Sequence, residues 1–320
     1  MRGTPALALL DTALGSDNEG DQIIVDAVLD ALPGLREVPR LPTHRRLSRG
    51  ELALAARTRF LFLAGTNALT STVRPATPWR LGPAEMAAFT RKVIPIGVGW
   101  RDYERPATLG RAVTYKALFA SGVPVSVRDS HAQSMLTNAG IESINTGCPT
   151  MWSLPDTLPA YPPTQSVVAT VTDYKRSADE DGYLLRELAR RFEHVTVWPQ
   201  SDDDVSYLST LALDERTTIA QRGLAHFHTC LDDSLYVGTR LHAGIRALQR
   251  SRPALIVAVD NRAQEIAHDT GLRVIARDQL RTGLDAAVPE AFTPQHLRLP
   301  HENQKRWLQL VDAVAGPGLH

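Results

Sequence analysis

Short apolar runs bounded by turn residues alternate with amphipathic helical runs along most of this 320-residue chain. Continuous apolar strands are buried on both faces, and strands separated by helices pair in parallel, so the pattern restricts the chain to parallel-sheet α/β architecture. In the first half the strand candidates are Ala6 to Leu10, Phe60 to Ala64, Val93 to Val98, Val123 to Val127 and Ile141 to Asn145. Helices are expected near Asp21 to Leu32, Ser48 to Arg57, Pro83 to Arg91 and Ser130 to Asn138, and Ser48 with Glu51 has the spacing of a capping box. From Leu154 to Ser166 stand Pro155, Pro159, Pro162 and Pro163, which no helix or central strand tolerates, so this stretch reads as an interdomain linker.

Alternation then resumes with strand Val167 to Val171, helix Asp181 to Phe192, strand Val195 to Trp198 and helices across Asp204 to Arg222. Strand Leu235 to Val237, helix Arg240 to Arg250 and strand Ala254 to Val259 follow, then a helix after Asn261, a strand Arg273 to Ala276 and a closing helix His301 to Val314. A chain of this length exceeds what one core usually supports. The expected organisation is two Rossmann-like α/β domains, residues 1–157 and 158–320, with strand ends facing a central cleft and the last helix free to pack back on the first domain.

Bulk properties exclude several classes. Lys plus Arg and Asp plus Glu are both 35, which removes any global drive toward nucleic acid. Cys148 and Cys230 are too few for a disulfide framework or a cysteine zinc site and read as free thiols of a reducing compartment. Met1-Arg2-Gly3 runs directly into Ala6 to Leu10 without the parts of a signal peptide, and no window approaches the ~20 apolar residues of a membrane span. A soluble cytoplasmic protein is expected. There is no G-x-G-x-x-G after a strand, no P-loop, no H-E-x-x-H and no G-x-S-x-G elbow.

The segment with most chemical content is Gly238-Thr239-Arg240-Leu241-His242, which joins a buried strand to a helix. A helix start presents unpaired N–H groups and positive dipole, so an arginine there makes an anion site, and the histidine beside it can donate or accept a proton. Leu241 points the other way, into the core. Gly244 inside the same helix costs about 1 kcal/mol relative to Ala, which signals close packing or ligand approach.

Leu14-Gly15-Ser16-Asp17-Asn18-Glu19-Gly20-Asp21 follows the first strand. Asn18 and Asp21 suit hydroxyl binding, and Asn18 or Asp17 equally suits a helix cap. Arg128 ends a buried strand at the usual ligand-facing edge, as a ligand residue or as an ion pair with Asp129. His226 and His228 have the spacing of one face of a strand but no third metal ligand, so a structural role and no metal are expected. Asp202-Asp203-Asp204 reads as a solvated helix start, Lys175-Arg176 as a solvated loop, and Cys148 as a packed thiol.

Taken in order, Asn18-x-Gly20-Asp21, Val127-Arg128-Asp129 with Gly140-Ile141, Gly238-Thr239-Arg240-Leu241-His242-Ala243 and Asp260-Asn261-Arg262 resemble the polysaccharide pyruvyltransferase family. The resemblance implies a GT-B-like arrangement, with an acceptor-side first domain and a donor-binding second one. It also implies transfer of the pyruvyl group of phosphoenolpyruvate onto two hydroxyls of a sugar as a cyclic ketal, without a cofactor. It maps donor binding onto Arg128, Arg240, the backbone at Leu241, and His242, with His242 as general acid. Asn18 and Asp21 become acceptor-binding candidates. The implied partners are phosphoenolpyruvate and a sugar, glycan or lipid-linked saccharide. The resemblance leaves room for a homo-oligomer and for peripheral contact with a membrane-bound acceptor. The family often carries a glycine run where this chain has Ala64-Gly65-Thr66-Asn67. Competing readings are a GT-B glycosyltransferase using a nucleotide sugar and a catalytically silent binding protein on the same scaffold.

Overall fold

The computed structural model describes residues 6–73 and 79–320. Met1-Arg2-Gly3 lies outside the described residues. The chain forms two compact units, one of Met1–Ser16, Ile24–Trp152 and Leu299–His320, the other of Asp17–Ile23 and Ser153–Arg298.

The first unit contains β1 (Leu7–Asp11), α1 (Glu19–Ala31, whose first turn groups with the second unit), β2 (Arg40–Pro42), α2 (Arg49–Arg57) and β3 (Phe60–Leu63). It continues through α3 (Pro83–Phe89), β4 (Val93–Pro95), α4 (Leu109–Leu118), β5 (Val125–Val127), α5 (Ser130–Asn138) and β6 (Ser143–Asn145). The order β2-β1-β3-β4 is parallel throughout, and a parallel bridge between Val98 and Val127 carries the ladder on to the β5-β6 pair. The run Phe60-Leu61-Phe62-Leu63 shows why β3 must lie inside. Leu61 and Leu63 pack into one core and Phe60 and Phe62 into the core on the opposite face. The capping box of α2 is present, with Ser48 and Glu51 each accepting the other's backbone N–H.

Two elements of this unit lack a clear sequence signal. β2 is a three-residue strand ending in Pro42, short enough to carry no periodicity, and it takes an edge position where a proline is tolerated. In α4, Gly110 and the exposed Leu109 and Val113 blur a stripe that buries Ala112, Tyr115 and Leu118.

The second unit contains β7 (Thr157–Leu158), β8 (Ser166–Thr170), α6 (Ala178–Arg191), β9 (His194–Val197), α7 (Asp202–Leu208), β10 (Thr217–Ile219) and α8 (Leu224–Leu231). Then come β11 (Ser234–Gly238), α9 (Leu241–Gln249), β12 (Ala254–Ala258), α10 (Asn261–Thr270), β13 (Val274–Ala276), α11 (Leu280–Glu290) and β14 (Gln295–His296). The closing helix α12 (His301–Ala315) belongs to the first unit, where Trp307 is buried and donates to the Pro124 carbonyl at 3.0 Å. The second sheet runs β10-β9-β8-β11-β12-β13, all parallel. Numbered within the sheet this is the Rossmann order 3-2-1-4-5-6, whose direction reverses between β8 and β11. Ligands of such sheets bind beyond the carboxyl ends of the strands at that reversal.

Two expectations need correction here. Asp204 to Arg222 is not helical throughout, because α7 ends at Leu208 and Thr217–Ile219 forms the edge strand β10 beside β9. His226 and His228 lie on α8, where a two-residue step separates side chains by roughly 200° instead of placing them on one strand face. The proline-rich stretch holds β7, paired antiparallel with β14 through Thr157 and His296.

Gly244 is explained by packing. A Cβ at this position of α9 would overlap Ile256 Cγ1 of β12 and come within 2.9 Å of the Tyr236 ring on β11. Gly244→Ala is therefore expected to destabilise the protein by about 1–3 kcal/mol despite the better helix propensity of alanine. Equilibrium denaturant unfolding checks this, and an unchanged or raised midpoint would refute the packing account.

Candidate functional site

β11 ends at Gly238, where a side chain would overlap Thr170 Oγ1 at the end of β8. The missing side chain lets the two strand ends close on each other. Thr170 Oγ1 then accepts the Arg240 N–H at 3.2 Å, the Thr170 carbonyl accepts from Thr239 N at 3.0 Å, and the Tyr236 hydroxyl donates to the Arg240 carbonyl at 2.7 Å. Arg240 is thus the fixed N-cap of α9, and its side chain makes no cap bond to the helix. The N–H groups of the first turn, at Leu241 and His242, present the positive end of the α9 dipole at the sheet's reversal point. His242 is buried at 7% exposure.

The Arg240 guanidinium, also 7% exposed, is turned to the fully buried carboxylate of Asp204. Nε donates to Oδ2 at 3.1 Å and Nη2 donates to Oδ1. The same carboxylate accepts the backbone N–H of Asp173 and of Gln200, each at 3.0 Å. One side chain therefore ties together the loops that follow β8, β9 and β11. Ser201 Oγ accepts from Nη2 at 3.4 Å, and Asp173 Oδ1 stands 3.8 Å from it. Among the described residues no protein group takes Nη1. Desolvation, followed by the charges of Asp204 and Asp203, holds the Asp173 carboxyl above the usual carboxylate range.

The Tyr174 ring lies 5.3 Å from the Arg240 guanidinium and 5.3 Å from that of Arg262. Its hydroxyl donates to Asp260 Oδ2 at 2.8 Å and accepts from Arg262 Nη2. Desolvation first, with the Asp260 carboxylate adding to it, pushes this phenol up to about 12, so it stays protonated at neutral pH.

The segment Asp17–Ile23 carries the other motif. Asn18 Oδ1 accepts the Gly20 N–H at 3.2 Å, as a helix cap does, and also accepts from Gln200 Nε2 at 2.5 Å. A Cβ at Gly20 would come within 2.7 Å of Gln200 Nε2, so glycine makes room for that amide. Asp21 is buried, with its charge acting on Arg262. Arg222 pairs with both Asp17 and Asp202.

In the first unit, the buried Arg128 follows β5. Its Nε donates to Asp129 Oδ2 at 3.2 Å and its Nη2 to Asn67 Oδ1 at 2.5 Å, and its guanidinium occupies the space a Gly99 side chain would fill. Asp129 also caps α5 by accepting from Ala132 N at 2.7 Å. The ion pair with Asp129 is present, and among the described residues Nη1 has no protein partner.

Of the sequence candidates, Arg240, Leu241 and His242 come together at the α9 start, Asn18 and Asp21 lie in the segment grouped with the second unit, and Arg128 lies in the first unit. Asp202-Asp203-Asp204 corrects an expectation, since Asp204 is buried against Arg240 and is not a solvated helix residue. Sequence reading also passed over Tyr174, Gln200, Asn67 and Gly99. A polar residue straight after a buried strand was the available signal for Tyr174 and Gln200. Lys175 and Arg176 are exposed on their loop. Cys148 is buried, which raises its thiol above the ordinary range. Among the described residues no cluster of His, Cys, Asp and Glu could hold a metal ion, and no helix is long and apolar enough to cross a membrane.

The profile of the polysaccharide pyruvyl transferase family matches residues 18–261, a span that includes Asn18, Arg128 and the Gly238 to His242 segment. The chain belongs to that family. Membership places it among transferase enzymes. No curated protein matches the sequence. Among solved structures the chain is similar to a Listeria monocytogenes protein assigned as a UDP-N-acetylglucosamine 2-epimerase, at 12% identity and a TM-score of 0.51, over 97% of this chain and 91% of that one. It is also similar to the glycosyltransferase SnogD from Streptomyces nogalater, at 11% identity and a TM-score of 0.33 over 96% of each chain. The first likeness supports an α/β fold with parallel sheets of the GT-B glycosyltransferase and epimerase kind. It speaks to fold alone.

Asp204→Ala is expected to cost about 3–5 kcal/mol, because it leaves the buried Arg240 charge and two loop amides without their acceptor. Replacing both partners, Asp204→Leu with Arg240→Leu, should recover much of that loss. Thermal and denaturant unfolding of the single and double variants check this, and an additive double variant would contradict it.

Proposed function

We propose that this family member transfers the pyruvyl group of phosphoenolpyruvate to a glycan acceptor as a ketal, with donor binding centred on the start of α9. The observation that carries this reading is Arg240, fixed by Asp204 with Nη1 uncommitted among the described residues, standing two residues before His242 at a helix N-terminus on the reversal point of a Rossmann-ordered sheet. A phosphate or carboxylate pairs naturally with a guanidinium edge and first-turn N–H groups. In this reading Leu241 contributes its backbone N–H, and Arg128 is a second donor-binding residue.

His242 as imidazolium protonates the methylene carbon of the enol, and the carbon bearing the phosphate becomes electrophilic. One acceptor hydroxyl adds to that carbon and its proton is returned to the imidazole. The bond to the phosphate oxygen breaks, the second hydroxyl closes the ring, and its proton leaves with the phosphate. The fixed positive charge of Arg240 and the α9 dipole stabilise the departing phosphate without reorganising. Asn18 and Asp21 are assigned to acceptor hydroxyls, and the acceptor class is a sugar, glycan or lipid-linked saccharide.

The test is incubation with phosphoenolpyruvate and a panel of sugar nucleotides, lipid-linked sugars and glycosides, reading phosphate release and ketal-linked pyruvate by mass spectrometry. Acceptor-dependent phosphate release is expected. His242→Ala should lower turnover by about 10²–10⁴-fold while retaining donor binding, and Arg240→Ala should weaken donor binding by about tenfold to hundredfold. A fully active His242→Ala enzyme sinks the general-acid role. A thermal shift with nucleotides and none with phosphoenolpyruvate would favour a nucleotide-sugar glycosyltransferase.

Gly99→Ala tests Arg128 without removing a charge, since the new methyl displaces the guanidinium. Weaker phosphoenolpyruvate binding is expected, together with a lowered unfolding midpoint, because the displaced guanidinium leaves its buried pair with Asp129. Unaltered binding would remove Arg128 from the donor site.

A further inference from the structure

Two hydrogen bonds along one edge of a guanidinium leave a single soft motion, a hinge about that edge. Asp204 grips Nε and Nη2 of Arg240, so the hinge swings the opposite corner, Nη1, out of plane. Nη1 is the corner assigned above to the donor. The Arg240 Cζ lies over the face of the Tyr174 ring, 5.3 Å from the ring centre.

The ring is itself held. Its hydroxyl is bonded to Asp260 and Arg262, and Arg262 is locked onto Asp260 through its Nε and its backbone N–H, each at 3.0 Å. Asp260 caps α10, so the tyrosine is braced from the start of that helix and presses its face toward the start of α9. Tyr174 is 42% exposed, unusual for an aromatic side chain, and it lies outside the core cluster formed by Val167, Leu184, Val195, Leu235 and their neighbours in the second unit. Burial of apolar area does not account for its placement, and contact with a cation does.

We propose that Tyr174 is a positioning residue for donor binding, its ring face holding the Arg240 guanidinium by cation–π attraction and so biasing the direction in which Nη1 meets the donor's anionic group. The role rests on the pyruvyl-transfer reading. Tyr174→Phe keeps the ring face and loses only the hydroxyl brace, whereas Tyr174→Leu removes the face and keeps comparable bulk. Because the residue is exposed, neither change should shift the unfolding midpoint much.

Calorimetric titration of phosphoenolpyruvate into the full chain is the test, joined by the ¹⁵Nε–Hε resonance of Arg240, which feels the ring current of Tyr174. Tyr174→Leu should weaken donor binding about fivefold and move the Arg240 resonance, with the turnover number at saturating donor little changed. Tyr174→Phe should stay within about twofold of the parent. Equal donor affinity in parent and Tyr174→Leu overturns the proposal, as does a Tyr174→Phe defect as large as that of Tyr174→Leu. A parent protein that binds no phosphoenolpyruvate overturns the pyruvyl-transfer reading and this role with it, a result distinct from binding that is indifferent to residue 174.

Discussion

The second unit is organised around the ion pair of Arg240 with Asp204. A buried carboxylate is costly to desolvate, and it persists only where every lone pair has a partner. Asp204 meets that condition through two guanidinium N–H groups and two backbone N–H groups, which belong to the loops after β8, β9 and β11. Those loops are where a Rossmann-ordered sheet binds its ligand. The pair therefore fixes the site's frame and, by consuming one edge of the guanidinium, decides which edge faces outward. Its contribution lies in geometry more than in net stability.

Glycines do the complementary work, because the charged groups can close up only where backbone or side chain approaches without a Cβ between. Gly238 brings β11 against Thr170, Gly244 seats α9 on Ile256 and Tyr236, Gly99 admits the Arg128 guanidinium, and Gly20 admits the Gln200 amide. Gly20, Gly238 and Gly244 sit within or beside segments marked by polar residues in the sequence, and Gly99 does not. Arg128 and Arg240 share one scheme as well: an acidic partner at Nε, a second acceptor at Nη2, and, among the described residues, no protein partner at Nη1. A guanidinium held in this way loses little freedom when an anion arrives.

Elements whose signal is local were legible in the sequence. β3 and β12 are uninterrupted apolar runs, α2 announces its start through Ser48 and Glu51, and α9 follows a strand through a Gly-Thr-Arg turn. Elements that depend on a neighbour were not. β10 carries the mixed sequence Thr-Thr-Ile and exists because β9 offers it a ladder, and α8 buries only Phe227 and Leu231 of a stretch whose histidines suggested a strand. The candidate site divides in the same way. Arg240 and His242 lie two residues apart on one turn and could be read together, whereas Asp204 lies thirty-six residues before Arg240 in a run of three aspartates that reads as solvent-facing.

Periodicity and turn chemistry, which act within a few residues, determined the parallel α/β class and placed an arginine and a histidine at a helix start. Folding alone decided which of three adjacent aspartates turns inward to neutralise the arginine, because a carboxylate's cost or gain depends on the groups that surround it. It decided too that Tyr174, unremarked in the chain, presents its ring face to the Arg240 guanidinium. Contacts between residues far apart in sequence arise from strand order, and strand order is set by how two sheet faces are covered, which no short window of residues contains.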